Sequence, residues 1–245
     1  NMTKIILPDR IFGRNVDGAM EKVLNGDKSQ PDPTLGQTAP QANAPNLNGY
    51  IWVPSIKLHV AKERTLPNLT WIQTQEELKK QKLAMPTPYQ FREFLKHIRD
   101  SKDSEHQKVF KDVVEVREPW RAQWLNAKFK KRKNELYMIS ENVLVNGKYQ
   151  NVEQKLDDFL TEDKSPGISL DDWINSSASH GLPIPKNPSG KLYYWAPAKG
   201  YVARFDAGSD RASLDCDGHP GYSLASLGVR LVVRPKGTSA KIGVK

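Results

Sequence analysis

The chain has 245 residues, of which 38% are hydrophobic and six are Trp, enough apolar material for one large domain or two small ones. Its single cysteine excludes an intramolecular disulfide and any multi-cysteine metal site. The formal net charge of +9 admits an acidic partner, but scattered Lys dominates the excess, a pattern typical of a solvated surface.

The N-terminal part predicts little packed structure. Residues 2–24 are mixed in character and are predicted to form a short strand, a turn and a helix. Residues 25–48 are rich in Pro, Gly, Asn, Gln and Ser and have almost no apolar anchors, so we expect a linker. The predicted organisation is therefore an N-terminal segment and linker at 1–48, one domain at 49–235 and a flexible tail at 236–245.

The next stretch combines one strand and the start of a helix. Residues 50–60 alternate in hydrophobicity on both sides of Pro54, which predicts a strand with an edge or a bulge at the proline. Thr74 and Glu77 have the spacing of a capping box and predict a short helix that ends near Lys82.

Two longer helices follow. Thr87 and Gln90 form a second capping-box pattern, with Pro88 at the first helical position, and predict a helix over residues 88–99. Apolar residues at helical spacing predict another helix over 104–114.

The second half reads mainly as strands. Residues 118–129 and 135–149 have strand character, and the second segment contains Asn146-Gly147, a strong hairpin signal. Residues 151–160 are predicted to be helical, Ser169 is predicted to cap a short helix through Trp173, and 181–190 are predicted to form a loop. The remaining strands are predicted at 192–195, 201–205 and 227–233.

The composition changes sharply near the C-terminus. Between Gly200 and Pro235 there is no Lys, Glu, Gln, Met or Trp, although the rest of the chain uses all five. Asn is absent from this stretch as well. Within it, Ala212, Leu214 and Cys216 alternate with polar residues, and this period of two places them on the inner face of a strand. We expect the polar residues between them to form a displayed face.

Three segments resemble one protein family. Residues 85–94 (MPTPYQFREF) are similar to a helix start of the formylglycine-generating-enzyme branch of C-type lectin folds, and 227–232 (LGVRLV) to its closing strand. Between them the chain resembles the variable region of diversity-generating retroelement proteins. The framework positions of that region are filled by Phe205, Ala207, Ser209, Ala212, Leu214, Cys216, Pro220, Ser223, Ala225, Ser226, Leu227, Gly228 and Val229.

The resemblance implies an α+β, C-type lectin-type fold with small antiparallel sheets, two or more flanking helices and long loops. In that family, reverse transcription miscopies adenines, so Asn-type codons (AAY) scatter into NNY codons. NNY cannot encode Lys, Glu, Gln, Met or Trp, the set that is missing here. Family members are monomers or small homo-oligomers, typically displayed on a virion or cell surface.

The resemblance and the alternation together predict a non-enzymatic protein that binds a protein or surface ligand through residues 206–224. No catalytic residue, metal or cofactor is predicted. The predicted variable, ligand-facing residues are Asp206, Gly208, Asp210, Arg211, Ser213, Asp215, Asp217, Gly218, His219, Gly221, Tyr222 and Leu224.

Competing interpretations of single motifs are weaker. The Asp215–Gly218 segment begins like a calcium loop, but Leu224 stands where the loop needs Glu. Gln30-Pro31-Asp32 spells a sugar-selective lectin motif, yet it lies in the predicted linker. Cys216 and His219 suggest a nucleophile, but their spacing directs them to different faces.

Two other functions remain open. The densest basic run, from Lys128 to Lys133, could bind a phosphate backbone, although no folded nucleic-acid motif surrounds it. A formylglycine-generating type of oxidase or hydrolase relic is the third interpretation. Because those enzymes need two active-site cysteines and this chain has one, their chemistry is not transferred to it.

Overall fold

The computed structural model describes residues 10–11, 14–15, 47–145 and 148–234. The chain divides into two compact units, Asn1–Asn43 and Ala44–Lys245. In the first unit, β1 (Arg10–Ile11) and β2 (Arg14–Asn15) pair antiparallel. Apart from these two strands, the predictions for 2–24, for most of the linker, for the Asn146-Gly147 turn and for the tail lie outside the described residues.

The main layer of the second unit is, within the described residues, an eight-stranded sheet. Its strands are β5 (Arg121–Arg132), β6 (Glu135–Val145), β7 (Lys148–Lys155), β8 (Lys164–Ile168), β9 (Leu192–Trp195), β10 (Val202–Ala207), β11 (Ala212–Gly218) and β12 (Leu227–Gly228). They lie in the order β7-β6-β5-β10-β11-β9-β8, with β12 beside β5. The β9–β11 and β12–β5 pairs are parallel, so the sheet is larger and more mixed than the expected small antiparallel sheets.

A second sheet contains β3 (Tyr50–Val53), β4 (Leu58–Ala61) and β13 (Val232–Val233) in the order β13-β4-β3. The single strand predicted over 50–60 is therefore wrong, because Pro54 opens the turn between β3 and β4. The closing strand predicted over 227–233 is also divided, since its first part pairs with β5 and its last part with β4.

Four α-helices of the described chain complete the fold, α1 (Trp71–Lys80), α2 (Pro88–Asp100), α3 (Ser104–Val114) and α4 (Leu170–Asn175), and a 3₁₀ helix (Leu47–Gly49) precedes β3. The predicted Thr87–Gln90 capping box, the helix 104–114 and the Ser169 cap are confirmed. The predicted Thr74 cap is wrong. Thr70 and Gln73 form the capping box one turn earlier, and Thr74 lies buried inside α1 with its hydroxyl bonded to the Thr70 carbonyl.

The helix predicted over 151–160 is also wrong. Residues 148–155 form β7, which pairs antiparallel with β6. The pairing extends to Val145 opposite Lys148, so the two strands are neighbours in the sheet, as a hairpin requires. The error has a simple cause. Val152 and Leu156 are four residues apart, a spacing that puts two side chains on one face of a helix and equally on one face of a strand.

Aromatic side chains build the core where the helices meet β10. The Trp173 ring of α4 stacks on Phe205 at a centroid distance of 6.1 Å, and Phe91 of α2 lies 5.3 Å from Phe205. All three are buried, and burial of such a side chain contributes about 1.5–3 kcal/mol to stability. The inner face of β10 is thereby fixed by helices on one side of the sheet.

The protein is therefore of the α+β class, with sheets and few helices. No helix among the residues described is long and apolar enough to cross a membrane.

Candidate ligand-binding surface

The β10–β11 hairpin positions the residues that the sequence singled out. Asp206 lies opposite Ser213, and Arg204 lies opposite Asp215. Side chains alternate between the two faces of each strand. Ala212, Leu214 and Cys216 are buried in the core, which confirms the prediction for the inner face of β11.

The outer face of the hairpin carries a charge network built around Arg204. The Arg204 Nε lies 3.2 Å from Asp206 Oδ2, and the Arg204 Nη2 lies 2.5 Å from Asp215 Oδ2. Ser213 Oγ donates a 2.6 Å hydrogen bond to Asp206 Oδ1. A carboxylate leaves water at high cost unless it is paired, so these contacts allow both aspartates to be buried.

The network corrects the expectation that the whole polar face is displayed. Five of the twelve predicted residues are buried: Asp206, Gly208, Ser213, Asp215 and Gly218. The other seven are exposed: Asp210, Arg211, Asp217, His219, Gly221, Tyr222 and Leu224. Strands β10 and β11 lie inside the sheet, and neighbouring side chains cover the middle of their outer face.

Two tryptophans that the sequence analysis did not assign to the site belong to it. A cavity of about 150 Å³ opens on the outer face, with Trp120 and Trp195 among its walls and the Arg204 network in its lining. Trp195 stands opposite Asp215 in the parallel β9–β11 pair. Of the consecutive aromatic residues Tyr193, Tyr194 and Trp195 in β9, only Tyr194 is fully buried. Alternation along β9 could have identified Trp195, whereas nothing in the sequence pointed to Trp120.

The carboxylates of this surface have unusual affinities for protons. Burial raises the pKa of Asp206, although the Ser213 hydrogen bond and the Arg204 charge oppose that shift. Partial burial of its carboxyl group, a hydrogen bond with Asp215 and the Asp215 charge raise the pKa of Asp217 to about 7. The neighbouring Asp163 acts in the same direction. Near neutral pH, Asp217 is therefore partly protonated, and it can pair with a cationic group once its proton is lost.

The segment after β11 is held by its backbone and leaves its side chains free. The Trp71 N–H donates to the Pro220 carbonyl at 3.1 Å, and the Asn68 N–H donates to the Leu224 carbonyl at 3.1 Å. Tyr222 and Leu224 are 42% and 39% exposed. These anchors involve main-chain atoms of residues 220–224, so they do not depend on which side chains the segment carries.

Aromatic and cationic groups meet on the same surface. The Arg204 guanidinium lies 5.7 Å from the centre of the Tyr222 ring, and the His219 ring lies 6.3 Å from that of Tyr201 in an edge-to-face arrangement. At the other end of β11, the Arg211 guanidinium lies 5.2 Å from the Tyr193 ring. The surface thus offers apolar area and hydrogen-bonding groups at both ends of one strand.

Part of the predicted framework is not buried. Ser209, Ser223 and Ala225 occupy framework positions of the family resemblance, but all three are exposed. They lie in the turns at the two ends of β11, where the chain leaves the sheet and the strand period no longer applies. Leu227, Gly228 and Val229 are buried as expected.

Cys216 is fully buried, and its burial, together with Asp215 and Asp217, raises the pKa of its thiol well above the usual value. His219 lies in the exposed turn beyond the strand and accepts a hydrogen bond from the Gly221 N–H at Nδ1. The geometry does not bring the two together as a nucleophile and base. In the described part of the chain, no group of three or more His, Cys, Asp or Glu side chains is placed to hold a metal.

The basic run is divided between two faces of β5 and the following turn. Lys130, Lys131 and Lys133 are exposed and Phe129 is buried between charged neighbours. The Arg132 Nη2 is already paired with Glu153 Oε2 at 2.8 Å. Alternation sends consecutive strand residues to opposite faces, so the run does not present its charges as one continuous patch.

Comparison with known proteins finds no matching family model, no similar curated protein and no similar solved structure.

Proposed function

We propose that this protein is a non-enzymatic ligand-binding protein with a C-type lectin-type fold, and that a diversity-generating retroelement diversifies its binding surface. The observation that carries the proposal is the absence of Lys, Glu, Gln, Met and Trp from residues 200–235. The same stretch contains β10, β11 and the exposed turns around them. Codons of the NNY type account for this gap, because they cannot encode any of the five missing residues.

The backbone of the ligand-binding surface is held in a way that suits a region whose side chains differ between variants. Ser226 is held at its carbonyl by the Ala122 N–H at 2.9 Å and by the Arg64 Nη1 at 2.8 Å. With the bonds from Asn68 and Trp71, the segment after β11 has four anchors that are independent of its own side chains. A fixed backbone lets side chains vary without a new fold for each variant.

The chemistry of the exposed residues suits protein recognition. Tyr222 combines a large apolar ring with a hydroxyl and loses little conformational entropy when it is immobilised. His219 and Arg211 add polar groups at opposite ends of β11, and the cavity of about 150 Å³ between them has room for one side chain of a partner. We therefore propose a folded protein partner that covers the length of β11.

The twelve predicted positions have two roles in this proposal. The seven exposed positions contact the partner directly. Four of the five buried ones, all except Gly218, line the cavity, and Asp206 and Asp215 depend on each other because both form ion pairs with Arg204. Diversification at Asp206 or Asp215 therefore changes the floor of the cavity and not its rim.

The decisive test is the gene's surroundings. We expect a reverse transcriptase gene nearby and a near-identical repeat of the coding region for residues 200–230 with adenines at the variable codons. A sequenced locus that lacks both would overturn the retroelement part of the proposal.

A library test addresses binding separately. The seven exposed positions are randomised with NNY codons, displayed and selected against several unrelated folded proteins. A control library randomises seven exposed positions elsewhere, among them Lys130, Lys131 and Tyr149. We expect binders from the first library alone. Equal recovery from both, or none from the first, contradicts the assignment of the surface.

A further inference from the structure

A second polar site lies where β5, α3 and residues 61–64 meet. A small cavity of about 10 Å³ is lined there by Arg64, Asp112, Arg121, Gln123 and Arg230, with Phe205 as an apolar wall. Neither the ligand-binding surface nor the sequence motifs account for it. It is therefore a small site, suited to one compact species such as a water molecule or a small ion.

Two buried side chains at this cavity have unused polar groups. Arg230 is 1% exposed; it donates to the Ala61 and Lys62 carbonyls and lies 3.3 Å from Asp112 Oδ2. Its Nε–H has no acceptor among the described residues. Gln123 is 3% exposed, and its Oε1 has no donor among them. Buried polar groups without a partner are rare, so each one calls for an explanation.

The charges around the cavity are unbalanced. Three guanidinium groups, those of Arg64, Arg121 and Arg230, line it against the single carboxylate of Asp112. Asp112 Oδ1 is also engaged at 2.6 Å by Arg117 from outside the cavity. Burial lowers the pKa of Arg230 to about 10 even though Asp112 opposes that shift. A buried cation that is only partly compensated favours an anion beside it.

We propose that the cavity binds one monatomic anion, a halide of chloride size, between the Arg230 Nε–H and the amide of Gln123. A terminal amide can turn by 180°, so Gln123 can present its Nε2–H to the ion. A water molecule is the competing occupant, because it could accept from Arg230 and donate to Gln123.

The anion would act on the ligand-binding surface through Arg64. Arg64 Nη1 donates to the Ser226 carbonyl at 2.8 Å and to the Ala122 carbonyl at 3.1 Å, which fixes the end of the segment after β11. An anion beside Arg64 holds the guanidinium in place and offsets its repulsion from Arg230. We therefore expect halide to stabilise the fold and this end of the surface together.

The first experiment measures thermal unfolding of the full chain in sodium bromide or chloride against sodium gluconate at equal ionic strength. For a dissociation constant of about 10 mM, about 200 mM halide should raise Tm by roughly 4–7 °C over gluconate. A crystal soaked in bromide should show an anomalous peak between Arg230 and Gln123. Equal Tm values in halide and gluconate, or a water at this position without a bromide peak, overturn the proposal.

Two variants complete the test. Gln123→Glu supplies a carboxylate of the same shape inside the cavity, so the halide-dependent part of Tm should disappear. Gln150→Glu makes the same change at an exposed position of β7 and should leave the halide-dependent part of Tm unchanged. If Gln123→Glu does not fold, Arg64→Gln, which removes one half-buried guanidinium, should weaken halide affinity at least fivefold. Unchanged halide dependence in whichever of these variants folds contradicts the site.

Discussion

Ser213 Oγ donates a 2.6 Å hydrogen bond to Asp206 Oδ1 across the β10–β11 pair, and both residues are buried. The sequence predicts both as displayed, variable positions. Their contact means that neither can change without consequence for the other. It also joins them to Arg204, whose Nε lies 3.2 Å from the second oxygen of Asp206.

The first prediction concerns this network. Asp206→Ala leaves Arg204 with one carboxylate and Ser213 without its acceptor, so the free energy of unfolding should fall by about 2 kcal/mol. Asp210→Ala, at an exposed position of the adjacent turn, should change it by less than about 0.5 kcal/mol. Urea denaturation of the two variants checks the contrast. Equal effects would show that the buried network contributes nothing.

The second prediction concerns pH. The pKa of Asp217 is raised to about 7 in the fold from an ordinary value of 3.8, so the folded protein binds a proton that the unfolded chain has lost. The stability from this group is fully present below about pH 4 and is lost as pH rises through about 7. Asp217→Asn should therefore match the wild type near pH 4 and exceed its stability at pH 8.

Unfolding experiments from pH 4 to 8 on both proteins measure that difference, with Asp210→Asn as the control for loss of one charge. A carboxyl carbon titration by NMR gives the midpoint for Asp217 directly. A midpoint near the ordinary value would contradict the raised pKa of Asp217.

The third prediction concerns the only cysteine. Burial raises the pKa of the Cys216 thiol well above its usual value, and the thiolate is the reactive form. A thiol reagent should therefore modify Cys216 only after denaturation. Rapid labelling of the native protein would reopen the cysteine-chemistry interpretation, which the binding function does not need.

The fourth prediction compares two glycines with positive φ. Gly181 has φ +78°, and a Cβ there would lie 2.1 Å from the Tyr89 nitrogen at the start of α2. Gly200 has φ +89° with no neighbour within 4 Å. Gly181→Ala should cost at least about 3 kcal/mol because a clash adds to the backbone strain, and Gly200→Ala about 1 kcal/mol. Thermal unfolding of the two variants measures the difference.

The fifth prediction distinguishes a protein partner from a nucleic-acid partner. If the basic run bound nucleic acid, affinity would fall steeply with salt and would be lost in a Lys130→Gln, Lys131→Gln variant. We expect fluorescence anisotropy to show no such binding at physiological salt, because the run is divided between two faces. Salt-sensitive binding that the double substitution removes would favour the nucleic-acid interpretation.

Local signals were reliable where one short segment decides the outcome. The Thr87 cap with Pro88 located the start of α2, because the cap residue, the proline and Gln90 satisfy the helix end among themselves. Local signals failed where one spacing fits both a helix and a strand, as for Val152 and Leu156. Thr70 and Thr74 both fit the first residue of a capping box, and only packing made Thr74 an interior residue of α1.

The sequence by itself determined the inner face of β11, because alternating apolar residues all lie on one face of a strand and that face packs into the core. It also determined the composition of the stretch that carries the proposed function. Only the tertiary structure decided which polar residues remain exposed. That outcome depends on the side chain of Arg204 from β10 and on Trp120 and Trp195 from other parts of the chain. Burial of Asp206 and Asp215 is tolerated because Arg204 supplies a counter-charge and the two tryptophans line the same cavity. These groups come from separate parts of the chain, so no local sequence pattern predicts their contact.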